Sequence, residues 1–123
     1  MEGKENIIMK EIFIVEDDQG IRELLEFLLV DQNYSVRTFP TIRTFNEIFP
    51  KTRPDLFLFD FMLPDGNGHD LCKEVKKSKE TSNIPVILMS AHADIKLMDG
   101  VDDFIAKPFD IDELLQRIEK QLG

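Results

Sequence analysis

At 123 residues the chain has the length of one ordinary domain, and with 42% hydrophobic content it can bury a core without staples. The net charge of −9 argues against nucleic acid as a direct partner, because phosphate backbones are bound by basic surfaces. A single cysteine, Cys72, makes an internal disulfide impossible, no apolar run approaches a membrane span, and the charged start MEGKENIIMK has no signal-like apolar segment; a cytoplasmic protein is expected.

Residues 1–9 are polar and unpatterned and read as a loose tail ahead of a domain over 10–123. Residues 11–15 (EIFIV) form a near-continuous apolar run, as in a strand covered on both faces. Three acids follow, Glu16, Asp17 and Asp18, of which Asp18 suits the N-cap of the next helix. Ile21, Leu24, Leu25, Leu28 and Leu29 then keep the spacing of one helical stripe. Residues 34–39 (YSVRTF) alternate, as an edge strand does, and 41–49 give a weak helical pattern.

The run 55–59 (DLFLF) predicts a third strand that ends in Asp60, followed by the turn-rich FMLPDGNG and a second weak helix over 67–79. Residues 85–89 (PVILM) predict a strand ending in Ser90-Ala91, and 103–106 (DFIA) a short one ending in Lys107-Pro108. The last helix carries Ile111, Leu114, Leu115, Ile118 and Leu122 on one face, with Asp110 and Glu113 at the positions of a capping box. Phe39, Phe45, Phe49, Phe57 and Phe59 are expected in the core, and Cys72 as a small buried hydrophobe.

Strands and helices thus alternate five times, which predicts a doubly wound α/β domain with helices on both faces of a parallel sheet. Ligands of such sheets bind beyond the carboxyl ends of the strands. That edge collects Glu16, Asp17, Asp60, Ser90 and Lys107. Two carboxylates about 4 Å apart repel by roughly 4 kcal/mol at an effective dielectric near 20, so the cluster calls for a cation or for protons. Oxygen ligands without His or Cys suit Mg2+, which bridges carboxylates to phosphate.

In this order, VEDD, the lone aspartate of LFDFMLPDGNG, MSA and KPF resemble the receiver domain of response regulators in two-component signalling. The likeness runs from about residue 10 to the C-terminus. It implies a flavodoxin-like sheet of order 2-1-3-4-5. It also implies Asp60 as acceptor of a phosphoryl group from a histidine kinase or a histidine phosphotransfer protein. Asp17, Asp60 and the main-chain carbonyl of Met62 would ligate Mg2+, with Glu16 acting through a metal-bound water. Lys107 and Ser90 would hold phosphoryl oxygens, and Phe104 would occupy the place of a switch aromatic, here expected mostly inward.

Two features depart from that pattern. Only twelve residues, Ala91 to Asp102, join the fourth strand to the fifth, roughly one and a half turns fewer than receivers usually have. The fourth helix is therefore expected to be short or absent. Met62 has no polar group with which to orient water, and His92 titrates near neutral pH, so slow self-dephosphorylation tuned by pH is expected. The leading expectation is a phosphorylation-dependent switch without an output domain in these residues, rather than a conventional enzyme. The alternatives are a small Mg2+-dependent phosphatase or phosphotransferase with an aspartyl nucleophile, and a degenerate receiver used only for docking. Met62 stands where such an enzyme carries a second acid, which weighs against the first alternative.

Overall fold

The computed structural model describes residues 8–91 and 99–123. In chain order the elements are β1 (Glu11–Val15), α1 (Gln19–Asp31), β2 (Ser35–Phe39), α2 (Ile42–Ile48), β3 (Leu56–Asp60), β4 (Met62–Leu63), β5 (Gly66–Asn67), α3 (Gly68–Lys77), β6 (Val86–Ser90), β7 (Asp103–Ala106) and α4 (Ile111–Leu122). The expected fourth helix, and His92 with it, fall on 92–98 and lie outside the described residues.

Each long strand begins and ends within one residue of its expected place. The shift is toward the carboxyl end in β3 and β6, which run on through Asp60 and Ser90 because the ladder still pairs Asp60 with Met89 and Ser90 with Ala106. Main-chain hydrogen bonding is indifferent to side-chain polarity, whereas an apolar pattern stops at the first polar residue. All neighbours in the main sheet run parallel, in the order β2-β1-β3-β6-β7. Counted over those five strands, this is 2-1-3-4-5, the flavodoxin-like order.

Side chains alternate across the sheet, so each strand feeds two cores. Phe13, Val15, Phe57, Phe59, Val86 and Leu88 project to one face, where Phe45 of α2 and Leu71, Cys72 and Val75 of α3 cover them. Ile12, Ile14, Leu56, Leu58, Ile87 and Met89 project to the other, under Leu25 and Leu29 of α1 and Leu114 and Ile118 of α4.

Two helix expectations need correction. Leu24 and Ile111 belong to the apolar patterns of α1 and α4 yet are 42% and 41% exposed. In α1 the buried residues are Leu25 and Leu29, and Leu24 lies about 100° around the axis from Leu25, past the line of contact. Asp110 does cap α4, accepting from the Asp112 N–H at 2.9 Å, but Glu113 turns to Arg117 instead of closing a box. A guanidinium one turn along offers Glu113 two charge-assisted bonds, which outweigh a single main-chain N–H. A capping box does form on α2, between Thr41 and Thr44.

The turn after Asp60 folds into a small antiparallel hairpin, β4 with β5. From its tip Asp65 accepts hydrogen bonds from the N–H groups of Ile42 and Arg43, at 3.0 and 2.9 Å, and so ties the hairpin to the start of α2. Asn67 caps α3 by accepting from Asp70 N–H at 2.8 Å. Gly68 follows because nothing larger fits: a Cβ there would stand 2.3 Å from the carbonyl oxygen of Asp60. The start of α3 is thereby pressed against the end of β3.

Candidate functional site

The row Ile12, Ile14 on β1 continues by the same two-residue period to Glu16, and Leu56, Leu58 on β3 to Asp60. On β7, Ile105 leads likewise to Lys107, whose N–H extends the ladder to Ser90 O at 2.8 Å. Three charged groups are therefore delivered to one rim by the alternation that builds the aliphatic core. Lys107 Nζ stands 2.9 Å from Glu16 Oε1 and 3.2 Å from Asp60 Oδ1, bridging two carboxylates that are otherwise almost sealed from solvent.

The electrostatics follow from this burial. Desolvation raises the carboxyl of Glu16 above its ordinary range, against the opposing hydrogen bond from Lys107. Asp60 is raised for the same reason, against the charge of Lys107 and with help from the repulsion of Asp17. For Lys107 burial works downward, but the hydrogen bond and charge of Glu16 and the charge of Asp60 outweigh it and hold the ammonium firmly protonated.

Asp17 differs, since it is exposed at the mouth of the site. Glu16, Asp17 and Asp60 each offer a carboxylate oxygen, and these oxygens lie within 4.8 Å of one another. Three carboxylates against one ammonium leave two negative charges, which matches a divalent cation. The donors are all hard oxygens, and the exposed side of Asp17 leaves room for water, so the residues present fit Mg2+.

The cleft beside Asp60, about 350 Å³, is lined by Ile21, Phe61, Met62, Ser90, Ala91, Lys107 and Pro108. Its walls are mostly apolar, and the charge is concentrated on its floor. Met62 is 64% exposed there. Ser90 is buried and has the parity of Val86 and Leu88, so it faces the aromatic core. Phe104, opposite Leu88 in the ladder, is half-buried and packs against that core. Asp18 is the helix cap the sequence suggested, accepting from Ile21 N–H at 2.9 Å.

Two residues around the site were not singled out by pattern. Arg22 donates from one nitrogen to the carbonyl oxygens of both Glu16 and Asp17, each at 2.9 Å. Its place on α1 follows no motif in the chain; only the reach of a long side chain back over the preceding turn reveals it. Gly68 had been readable as a turn residue, but its contact with Asp60 joins elements distant in the pattern.

Residues 12–119 match the response regulator receiver domain. The transcriptional regulatory protein GltR of Pseudomonas aeruginosa is 36% identical over 118 residues, which cover 92% of this chain and 49% of that protein. Response regulator ArlR of Staphylococcus saprophyticus is 37% identical over 119 residues, covering 93% of this chain and 53% of ArlR. Among solved structures, response regulator protein TrrA of Thermotoga maritima in complex with Mg(2+)-BeF superposes with a TM-score of 0.83 at 29% identity, over 93% of this chain and all of TrrA. Parallel sheet, acid-rich rim and relatives agree on a class of protein, the flavodoxin-like α/β domain with an acidic rim that fits a divalent cation. Within that class the chain belongs to the response regulator receiver domain family, and it spans about half the length of the curated relatives it matches.

Proposed function

We propose that residues 10–123 are a receiver domain whose Asp60 accepts a phosphoryl group from a histidine kinase or histidine phosphotransfer protein, in the cytoplasm, with residues 1–9 as a tail outside it. The observation that carries this reading is the Lys107 ammonium shared between Glu16 and Asp60, with Asp17 closing the oxygen cluster. Glu16, Asp17, Asp60 and the Met62 carbonyl are the groups that would hold Mg2+, Glu16 through a water. When bound, the ion neutralises charge on the phosphoryl oxygens.

The chain's own residues supply the rest. An Asp60 Oδ attacks phosphorus, an O–P bond forms, the N–P bond to the donor imidazole breaks, and the imidazole nitrogen keeps the electron pair and gains a proton. The rigid end of β3 fixes the nucleophile, and Lys107 faces the oxygens on which charge grows. Ser90 accommodates a phosphoryl oxygen, and its shared face with Phe104 and Leu88 gives the modification a route into the aromatic core. Met62 at the mouth, with no group to orient water, favours a long-lived phosphoryl state, and His92 is proposed to tune it with pH. The domain acts as a switch, each modification shifting a population of conformers.

Incubation with Mg2+ and a small acyl phosphate, read by mass spectrometry of the intact chain, tests the reading. One phosphoryl group gained by the wild type and absent from Asp60→Ala is the expected result. Uptake that survives in Asp60→Ala, or turnover of many phosphoesters per molecule, would contradict it.

A further inference from the structure

The turn between β1 and α1 carries two of the three clustered carboxylates, and they are held in different ways. Glu16 is fixed through its own side chain, since Oε1 accepts from Lys107 and Oε2 from the Asp18 N–H at 3.1 Å. Among the described residues nothing donates a hydrogen bond to the Asp17 carboxylate, so its direction is inherited from the main chain. That main chain is closed by Arg22, half-buried in the first turn of α1, whose Nη1 binds both carbonyl oxygens of the turn at 2.9 Å.

We propose that Arg22 is a positioning residue of the cation site: by gathering the carbonyls of Glu16 and Asp17 onto one nitrogen, it orients the Asp17 carboxylate and so sets the affinity for Mg2+. This rests on the reading of the site given above. The guanidinium has two opposite influences. As a positive charge it repels a cation nearby, an effect that salt screens with a decay length of about 10 Å at 0.1 M. As a clamp it preorganises a ligand, and loss of such supporting contacts typically weakens metal binding about 10- to 100-fold. Charge alone predicts that removing Arg22 tightens binding, most at low salt; positioning predicts that it loosens binding at every salt. The geometry favours positioning, because both bonds are spent on carbonyls of the ligand-bearing turn.

Titration calorimetry with MgCl2 at low and moderate salt separates the two, using wild type, Arg22→Met, Arg22→Lys and Asp17→Asn, with thermal melts in EDTA to measure the folded fraction. Arg22→Met keeps the apolar stem and removes the donors. It is expected to bind Mg2+ about tenfold more weakly at both salts while remaining folded in EDTA. Arg22→Lys is expected to recover most of the loss, since an ammonium can donate to both carbonyls. Unchanged or tighter binding by Arg22→Met, beside wild-type binding that Asp17→Asn weakens, would overturn this proposal and leave the reading of the site intact. So would a loss fully accounted for by unfolding. Absence of saturable Mg2+ binding by the wild type would overturn the reading of the site and this proposal with it.

Discussion

The two faces of the sheet are filled by different means. On one, rings gather around a single side chain: α2 is seven residues long, and its one fully buried side chain, Phe45, meets five other rings, beside Leu71, Cys72 and Val75 of α3. Its centroid lies 5.0 Å from Phe49 in a stacked pair and 5.6 Å from Phe39 and Phe59 edge to face. On the other face, burial is spread over Ile and Leu, with two buried residues on each of the longer helices α1 and α4. The charged triad ends the rows of this second face, and Ser90 and Phe104 belong to the first. On the function proposed above, chemistry and its readout would lie on opposite sides of one sheet. Asp60 and Ser90, at the ends of β3 and β6, are where the two sides meet.

Because five rings pack on Phe45, truncating it should do the most damage. Phe45→Ala is expected to lose about 4 kcal/mol in urea unfolding, more than Leu29→Ala on the dispersed face. Equal or reversed losses would break the contrast between the faces. Gly68→Ala comes next, at about 3 kcal/mol, because a Cβ meets main chain at the end of β3 and cannot be relieved by a rotamer change. A neutral effect would mean that α3 can retreat from Asp60.

The hairpin that binds α2 from outside should matter less. Burial pushes the Asp65 carboxyl up, but the N–H groups of Ile42, Arg43 and Asp65 itself, with the charge of Arg43, together outweigh it and lower the pKa. A lowered acid stabilises the fold above its unfolded value of 3.8, and that contribution fades as pH falls through the lower folded value. Asp65→Asn is expected to cost about 1 kcal/mol at neutral pH, as lost helix caps do, with the gap closing below pH 3.8. A gap that persists in acid would argue against the carboxylate. The smallest effect concerns Cys72, whose buried thiol is pushed up to about 11. A thiol reagent at pH 8 should label it only as the chain unfolds; fast labelling of the native protein would show that the aromatic face opens locally.

Much of this is legible in the sequence. Near-continuous apolar runs mark β1, β3 and β6, alternation marks β2, and the rule that ligands gather at carboxyl ends points to Glu16, Asp17, Asp60 and Lys107. The two-period parity that carries Ile12 and Ile14 to Glu16 is written in the chain as well. What escaped was the work of long side chains acting across turns. Arg22 reaching back over two carbonyls, Asp65 binding a helix more than twenty residues earlier, and Glu113 preferring Arg117 to its own helix start depend on where elements dock. Leu24 was misplaced because a stripe of five residues was read where α1 buries two of them fully. Most of the connection after β6, residues 92–98, lies outside the described residues.

The central claim is that Asp60 is made reactive by a cation held beside it. The direct measurement is the rate of phosphoryl uptake from an acyl phosphate as Mg2+ is raised from EDTA to saturation, in the wild type and in Asp17→Asn. Uptake should be negligible in EDTA, rise to a plateau with Mg2+, and need about tenfold more Mg2+ in Asp17→Asn, in line with the loss of one ligand. Equal rates with and without divalent cations, or identical Mg2+ curves for the two proteins, would contradict it.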